Sequence, residues 1–273
     1  MITFFRECEP KTWLRPNMWK FWALLAGTVA LRPYVFVFLG VFLLLATLHL
    51  GAGRAIVFLV LGYLISWGAE VCAINFGFPF GEYLYIPATL DRELWLAGVP
   101  FMDSLSYLFL AYASYCLALT ALGAGRGLPV QEDANLPQSW RTMILGAALM
   151  VTLDIIIDPV ALRGYRWFLG QIYGYPEGGV YFGVPLSNFA GWFLVALVLI
   201  GMLQYLISAP APARFWDWGR RPLPAPLLGS GLYLGILGFN LTMTFLIGET
   251  CLGWVGIFIY LPFLTWLALK LLP

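Results

Sequence analysis

Apolar residues along this chain come in long blocks, not in the alternations of a half-wet helix or strand. Seven blocks, at about 34–52, 54–76, 99–121, 139–160, 184–208, 225–248 and 250–271, stand out. Each can cross a hydrocarbon layer of ~30 Å at 1.5 Å per helical residue. The pattern predicts an all-α fold, a polytopic integral membrane helix bundle with about seven transmembrane helices. Residues 19–31 are apolar but short, and an eighth, tilted or re-entrant helix there stays open. On this reading residues 1–33 form an N-terminal interfacial or re-entrant segment, and 34–273 a single transmembrane domain.

The polar breaks between blocks differ in kind. "GAGRGLPVQEDANLPQ" (123–138) and "APAPARFWDWGRRPLPAP" (209–226) are Pro-rich and loop-like. "FGFPFGEYLYIPATLDRELWLAG" (76–98) and "RGYRWFLGQIYGYPEGGVYFG" (163–183) stay aromatic and carry carboxylates, as loops that pack on something do. A possible repeat accompanies them. "GVPFMDSL" (98–105) and "GVPLSNFA" (183–190) lie 85 residues apart, and each opens a span with a proline suited to a helix start.

Composition agrees with the pattern. The chain is 61% hydrophobic and 11% charged, against the ~25% charged residues of a soluble domain. A net charge of +1 with no basic cluster argues against a nucleic-acid partner. Cys8, Cys72, Cys116 and Cys251 form no CxxC and read as packing thiols. His49, the single histidine, makes no metal site and reads as interfacial. The N-terminus lacks the order of a cleavable signal and, with Lys11, Trp13, Arg15, Trp19 and Lys20, suits an interface. With seven spans the basic residues divide almost evenly between the two sides. An eighth would gather Arg126, Arg141, Arg214, Arg220 and Arg221 with the N-terminus, which fits the positive-inside tendency better.

The acids change the picture. Alternating span direction puts Glu70, Asp103, Asp154, Asp158, Asn188 and Glu249 on one side of the membrane. Asp154 and Asp158 share a helix face, with Cβ atoms about 5–6 Å apart. A charged Asp at mid-membrane costs about 2.5–3.5 kcal/mol, so the pair is cheaper with a proton or a partner, and a carboxylic acid kept neutral is a proton donor. Structural roles compete: Asp158 precedes Pro159 and could cap a turn, and Glu70 and Glu249 could bond helix ends. Tyr83, Tyr85, Trp95, Tyr165, Trp167, Tyr173, Tyr175, Tyr181 and Trp192 lie in or beside the two aromatic loops. An interfacial aromatic belt explains such rings. Acids beside ring faces also suit carbocation chemistry, each face stabilising a cation by about 0.5–2 kcal/mol.

"LDIIIDPVA", "YFGVPLSNFAGWF" and "FGEYLY...GVP" resemble the membrane-bound carotenoid biosynthesis family that contains the carotenoid hydratases, over about residues 60–200. The resemblance implies hydration of the terminal ψ-end double bond of an acyclic carotenoid, giving a tertiary alcohol with no redox cofactor and no metal. The positions that match are Asp154, Asp158, Pro185, Asn188, Trp192 and Glu82. It implies Asp154 or Asp158 as the acid, and Glu70, Glu82 or Glu249 holding the water with Asn188 orienting it. Tyr165, Trp167, Tyr181, Trp192 and Asp103 are the expected substrate-binding residues. The implied partners are a lipid-soluble carotenoid, membrane lipids and other carotenoid biosynthesis enzymes, in a bacterial or archaeal cell membrane.

Three other readings remain open. An integral-membrane lycopene cyclase would form the same cation, but "YPEGG" (175–179) is a poor match to its proline–acid motif. A prenyltransferase would use Asp154 and Asp158 for metal, but a second acidic cluster is missing. A transporter or lipid-binding protein would use the acids as a proton relay.

Overall fold

The structure, a computed structural model, describes residues 18–123, 135–210, 215–221 and 225–271. Residues 1–17, with Cys8 and most of the expected interfacial segment, lie outside the described residues, as does much of both Pro-rich connections. Eight α-helices follow in order among the described residues: α1 (Met18–Leu31), α2 (Pro33–Leu50), α3 (Ala52–Phe76), α4 (Phe101–Gly123), α5 (Trp140–Leu162), α6 (Leu186–Ser208), α7 (Ala225–Leu246) and α8 (Thr250–Leu271). The last seven are long and apolar enough to cross a membrane, so the chain is a polytopic all-α membrane bundle. The 14 residues of α1 span only about 21 Å.

Burial sorts the helices. From Met102 to Ala121 nearly every residue of α4 is buried, and α4 packs on α2, α3, α5, α6 and α7. A helix that is apolar all round belongs in the middle. The outer helices expose large apolar side chains, including Val37 and Leu44 on α2, Leu64 on α3 and Phe258 and Leu261 on α8. Such faces suit lipid. Of the cysteines, Cys116 is buried as expected of a packing thiol, whereas Cys72 and Cys251 are exposed. An apolar run does not say which of its faces turns inward. His49 Nδ1 lies 3.3 Å from the Tyr112 hydroxyl.

The two "GVP" segments share one backbone. Ala97 and Gly98 have φ of 49° and 85°, and Phe182 and Gly183 have 50° and 93°. Two consecutive positive φ values make the tight turn of a two-residue hairpin. The first hairpin pairs β2 (Trp95–Leu96) with β3 (Val99–Pro100), and the second forms the Tyr181–Val184 bridge. Each proline then leads into a helix. The helices begin at Phe101 and Leu186, two residues later than the apolar pattern suggests, because Pro and the residue before it favour extended backbone here. Upstream, β1 (Leu84–Tyr85) pairs antiparallel with β4 (Tyr173–Gly174), placing Tyr85 opposite Tyr173. Seven residues past each proline, Tyr107 and Trp192 stack face to face at 4.4 Å and 8°. The α3–loop–α4 and α5–loop–α6 units thus meet through equivalent positions after their prolines.

Two buried arginines tie the ends of the bundle. Away from the aromatic loops, Arg54 donates to the Leu206 and Ala209 carbonyls at the end of α6, at 2.9 and 3.0 Å, and meets Asp217 at 2.6 Å. These are carbonyls the helix itself leaves unpaired. Arg54→Ala is expected to lower stability by about 2–3 kcal/mol, read as a lower unfolding temperature in detergent. An unchanged temperature would show that water replaces the guanidinium at no cost. At the other end, Arg32 bonds Glu93 in the first aromatic loop at 3.0 Å and the Leu169 carbonyl in the second. Thr28 of α1 accepts from Leu94 N at 2.8 Å. The α1–α2 corner therefore latches both loops together.

Candidate active site

Asp158 sits in the last turns of α5, 6% exposed, and Asp154 one turn deeper at 0%. Asn188, in the first turn of α6, points its amide at both: Nδ2 lies 2.9 Å from Asp154 Oδ2 and 2.6 Å from Asp158 Oδ2. Two tyrosines of the second loop complete the shell of Asp158. Tyr173 donates to Oδ1 at 2.6 Å and Tyr175 to Oδ2 at 2.9 Å. Residues two apart in extended backbone share a face, so both hydroxyls reach one carboxyl. Asp158 thus accepts three hydrogen bonds. Asp154 accepts one from Asn188 and also meets Asp158 carboxyl to carboxyl, a hydrogen bond when one of the two carries a proton.

The α3–loop–α4 side builds a similar group. Glu70 near the end of α3 is 3% exposed. Tyr107 donates to its Oε1, and the Tyr85 hydroxyl lies 2.8 Å from its Oε2. Tyr85 also meets Asp103 Oδ2. A phenol has one proton, so the second contact is a hydrogen bond only when a carboxyl supplies the proton. Asp103 and Asn188 both stand three residues past their "GVP" prolines. The same place after the proline thus carries a carboxyl in one segment and an amide in the other.

Between the halves lies a cavity of about 100 Å³. It is lined by Glu70, Asp103, Asp158 and Asn188, and by Trp192, Trp167, Tyr34 and Phe38 among the rings. No Lys, Arg or His occurs among the described residues that line it. That volume holds several waters or the end of a chain, and is well below the ~300 Å³ that a whole drug-sized ligand takes. The Tyr173 and Tyr175 hydroxyls are pushed above the ordinary phenol value, first by burial and then by the Asp158 charge. Tyr85 is pushed up by burial and by Asp103 and Glu70. All three stay protonated donors around neutral pH. Gly191 lets the first loop close over the site: a Cβ there would stand 2.6 Å from both Phe80 and the Pro79 carbonyl.

The expected residues divide. Asp154, Asp158, Asn188, Glu70 and Asp103 come together, and Trp167 and Trp192 line the cavity. Glu249 does not join them: it pairs with Arg163 at 3.0 Å and with Arg166. Glu82 is exposed outside the cavity. Tyr165 is 68% exposed, and Tyr181 packs on Phe182 and Phe189. Glu177 of "YPEGG" is exposed as well. The tyrosine donors were not singled out as site residues, and Tyr107 was missed. The 85-residue register carries a signal for it, since Tyr107 and Trp192 hold equal places after their prolines.

A membrane helix bundle with carboxyls and tyrosines clustered around an aromatic cavity defines the class. A family model described as "Carotenoid biosynthesis protein" matches residues 23–261, and the chain belongs to that family. The bisanhydrobacterioruberin hydratase of Haloarcula japonica is 30% identical over 192 residues, covering 67% of this chain and 57% of that protein. The chain thus spans little more than half the length of this curated relative. No solved structure matches it.

Proposed function

We propose that the protein is a carotenoid hydratase. It adds water to the terminal ψ-end double bond of an acyclic carotenoid in the membrane of a bacterial or archaeal cell. The observation that carries this reading is the Asp158 carboxyl facing an aromatic cavity with three donors on its oxygens. Alkene protonation needs an acid whose conjugate base is well stabilised when the proton leaves, and Tyr173, Tyr175 and Asn188 supply that. The small cavity takes the end group, while the polyene lies outside along the helices. The name of the haloarchaeal relative supports the same chemistry.

In the proposed reaction Asp158 protonates the less substituted alkene carbon. Positive charge forms on the dimethyl carbon, facing Trp192 and Trp167. Water bonds to that carbon, and its proton passes to the Glu70–Asp103 half. Asp154, behind Asp158 and joined to it through Asn188, helps restore the acid. The sum is alkene plus water to tertiary alcohol, with no electrons exchanged and no redox carrier needed. Expression in a host that makes lycopene is expected to give pigments heavier by one or two waters. An isomer of unchanged mass would indicate a cyclase. Unchanged pigment with proton-coupled flux in proteoliposomes would indicate a transporter.

A further inference from the structure

We propose that the Tyr83 hydroxyl holds the water that is added, and so decides whether the carbocation becomes an alcohol or reverts to an alkene. This rests on the hydratase reading above. Tyr83 lines the cavity and is 9% exposed. Its ring sits among Tyr85, Tyr173 and Tyr175, with centroids 5.4, 6.1 and 6.0 Å away. Those three hydroxyls bond the Glu70–Asp103 pair or Asp158. The Tyr83 hydroxyl is buried with no hydrogen-bond partner in the protein.

A buried hydroxyl that bonds nothing weakens a fold, and phenylalanine would fill the same space without that cost. Because Tyr83 also lines the cavity, its hydroxyl is free to serve a ligand atom there. The cation needs an oxygen lone pair aimed at it, which leaves both water hydrogens to be held elsewhere. A phenol oxygen accepts one and a carboxylate of the cluster accepts the other. The carbon–oxygen bond forms, the second hydrogen leaves to that carboxylate, and the substrate has gained one water. A cation without a held water loses a proton instead. It then returns to the original alkene, or to its terminal-methylene isomer.

The test is Tyr83→Phe, with membranes containing the full chain fed lycopene in D2O. Each protonation places deuterium on carbon, and a cation that escapes capture by losing a methyl hydrogen, or the original hydrogen of the protonated carbon, leaves a deuterated alkene. The variant is expected to unfold no lower than the wild type. Its ratio of deuterated alkene to alcohol is expected to rise roughly tenfold. An unchanged ratio overturns the assignment, whether or not the overall rate falls. Wild-type protein that yields neither alcohol nor deuterated alkene overturns the hydratase reading, and this inference with it.

Discussion

Asp158→Asn is expected to abolish pigment hydration while the protein stays folded in the membrane. General acid catalysis contributes about 10²–10⁴-fold, and protonation is the only activation the proposed reaction has, so the loss should reach the upper end. The amide keeps the shape of the side chain and its oxygen still accepts from Tyr173. Its NH₂ faces the Asn188 Nδ2, 2.6 Å from the present oxygen, and that donor–donor contact costs about 1–3 kcal/mol. Stability should fall modestly, which unfolding in detergent would measure. Asp154→Asn should lose less activity, because Asp154 stands behind Asp158 and does not line the cavity. If both variants keep near-normal turnover, the donor is elsewhere. Glu70 and Asp103 would then be the next groups to substitute.

Arg32→Met is expected to be the most destabilising single change outside the carboxyl cluster. Arg32 and Glu93 are 2% and 0% exposed, and their 3.0 Å contact joins the α1–α2 corner to the first aromatic loop. Removing the arginine leaves Glu93 buried with only Thr89 as a side-chain partner. Breaking one side of a buried pair costs about 3–5 kcal/mol, mostly for the charge left behind. Adding Glu93→Gln should therefore recover a good part of the loss. The double variant would still leave Leu169 without its guanidinium donor, so recovery should be incomplete. Unfolding temperatures of the two single variants and the double variant form the cycle. A double variant no more stable than Arg32→Met would show that the charge is not the cause.

The carboxyl cluster shows how far sequence reasoning reached. Spans of fixed length alternate in direction, so their ends can be assigned to one side without knowing the packing. That placed Glu70, Asp103, Asp154, Asp158 and Asn188 at one end of the bundle, where they meet. The same reasoning placed Glu249 with them. Depth is only one coordinate, however, and Arg163 and Arg166 hold Glu249 in a separate ion pair. Glu82 matches a quoted motif yet turns outward, because loop backbone has no period that fixes the direction of a side chain. Tyr173 and Tyr175 were visible as aromatic residues. Their use as hydrogen-bond donors follows from the β1–β4 pairing, which joins residues 88 or more apart.

The sequence by itself determined the seven spans, the end of the bundle that carries the acids and the two matching helix starts. Each is set by local quantities: apolar length against bilayer thickness, alternation of direction, and proline after glycine. Only the tertiary structure decided which acids share a cavity, which tyrosines donate to them and which glutamate is neutralised by arginine. Those outcomes depend on lateral helix packing and on the pairing of two loops distant in the chain, and no window of neighbouring residues contains that information.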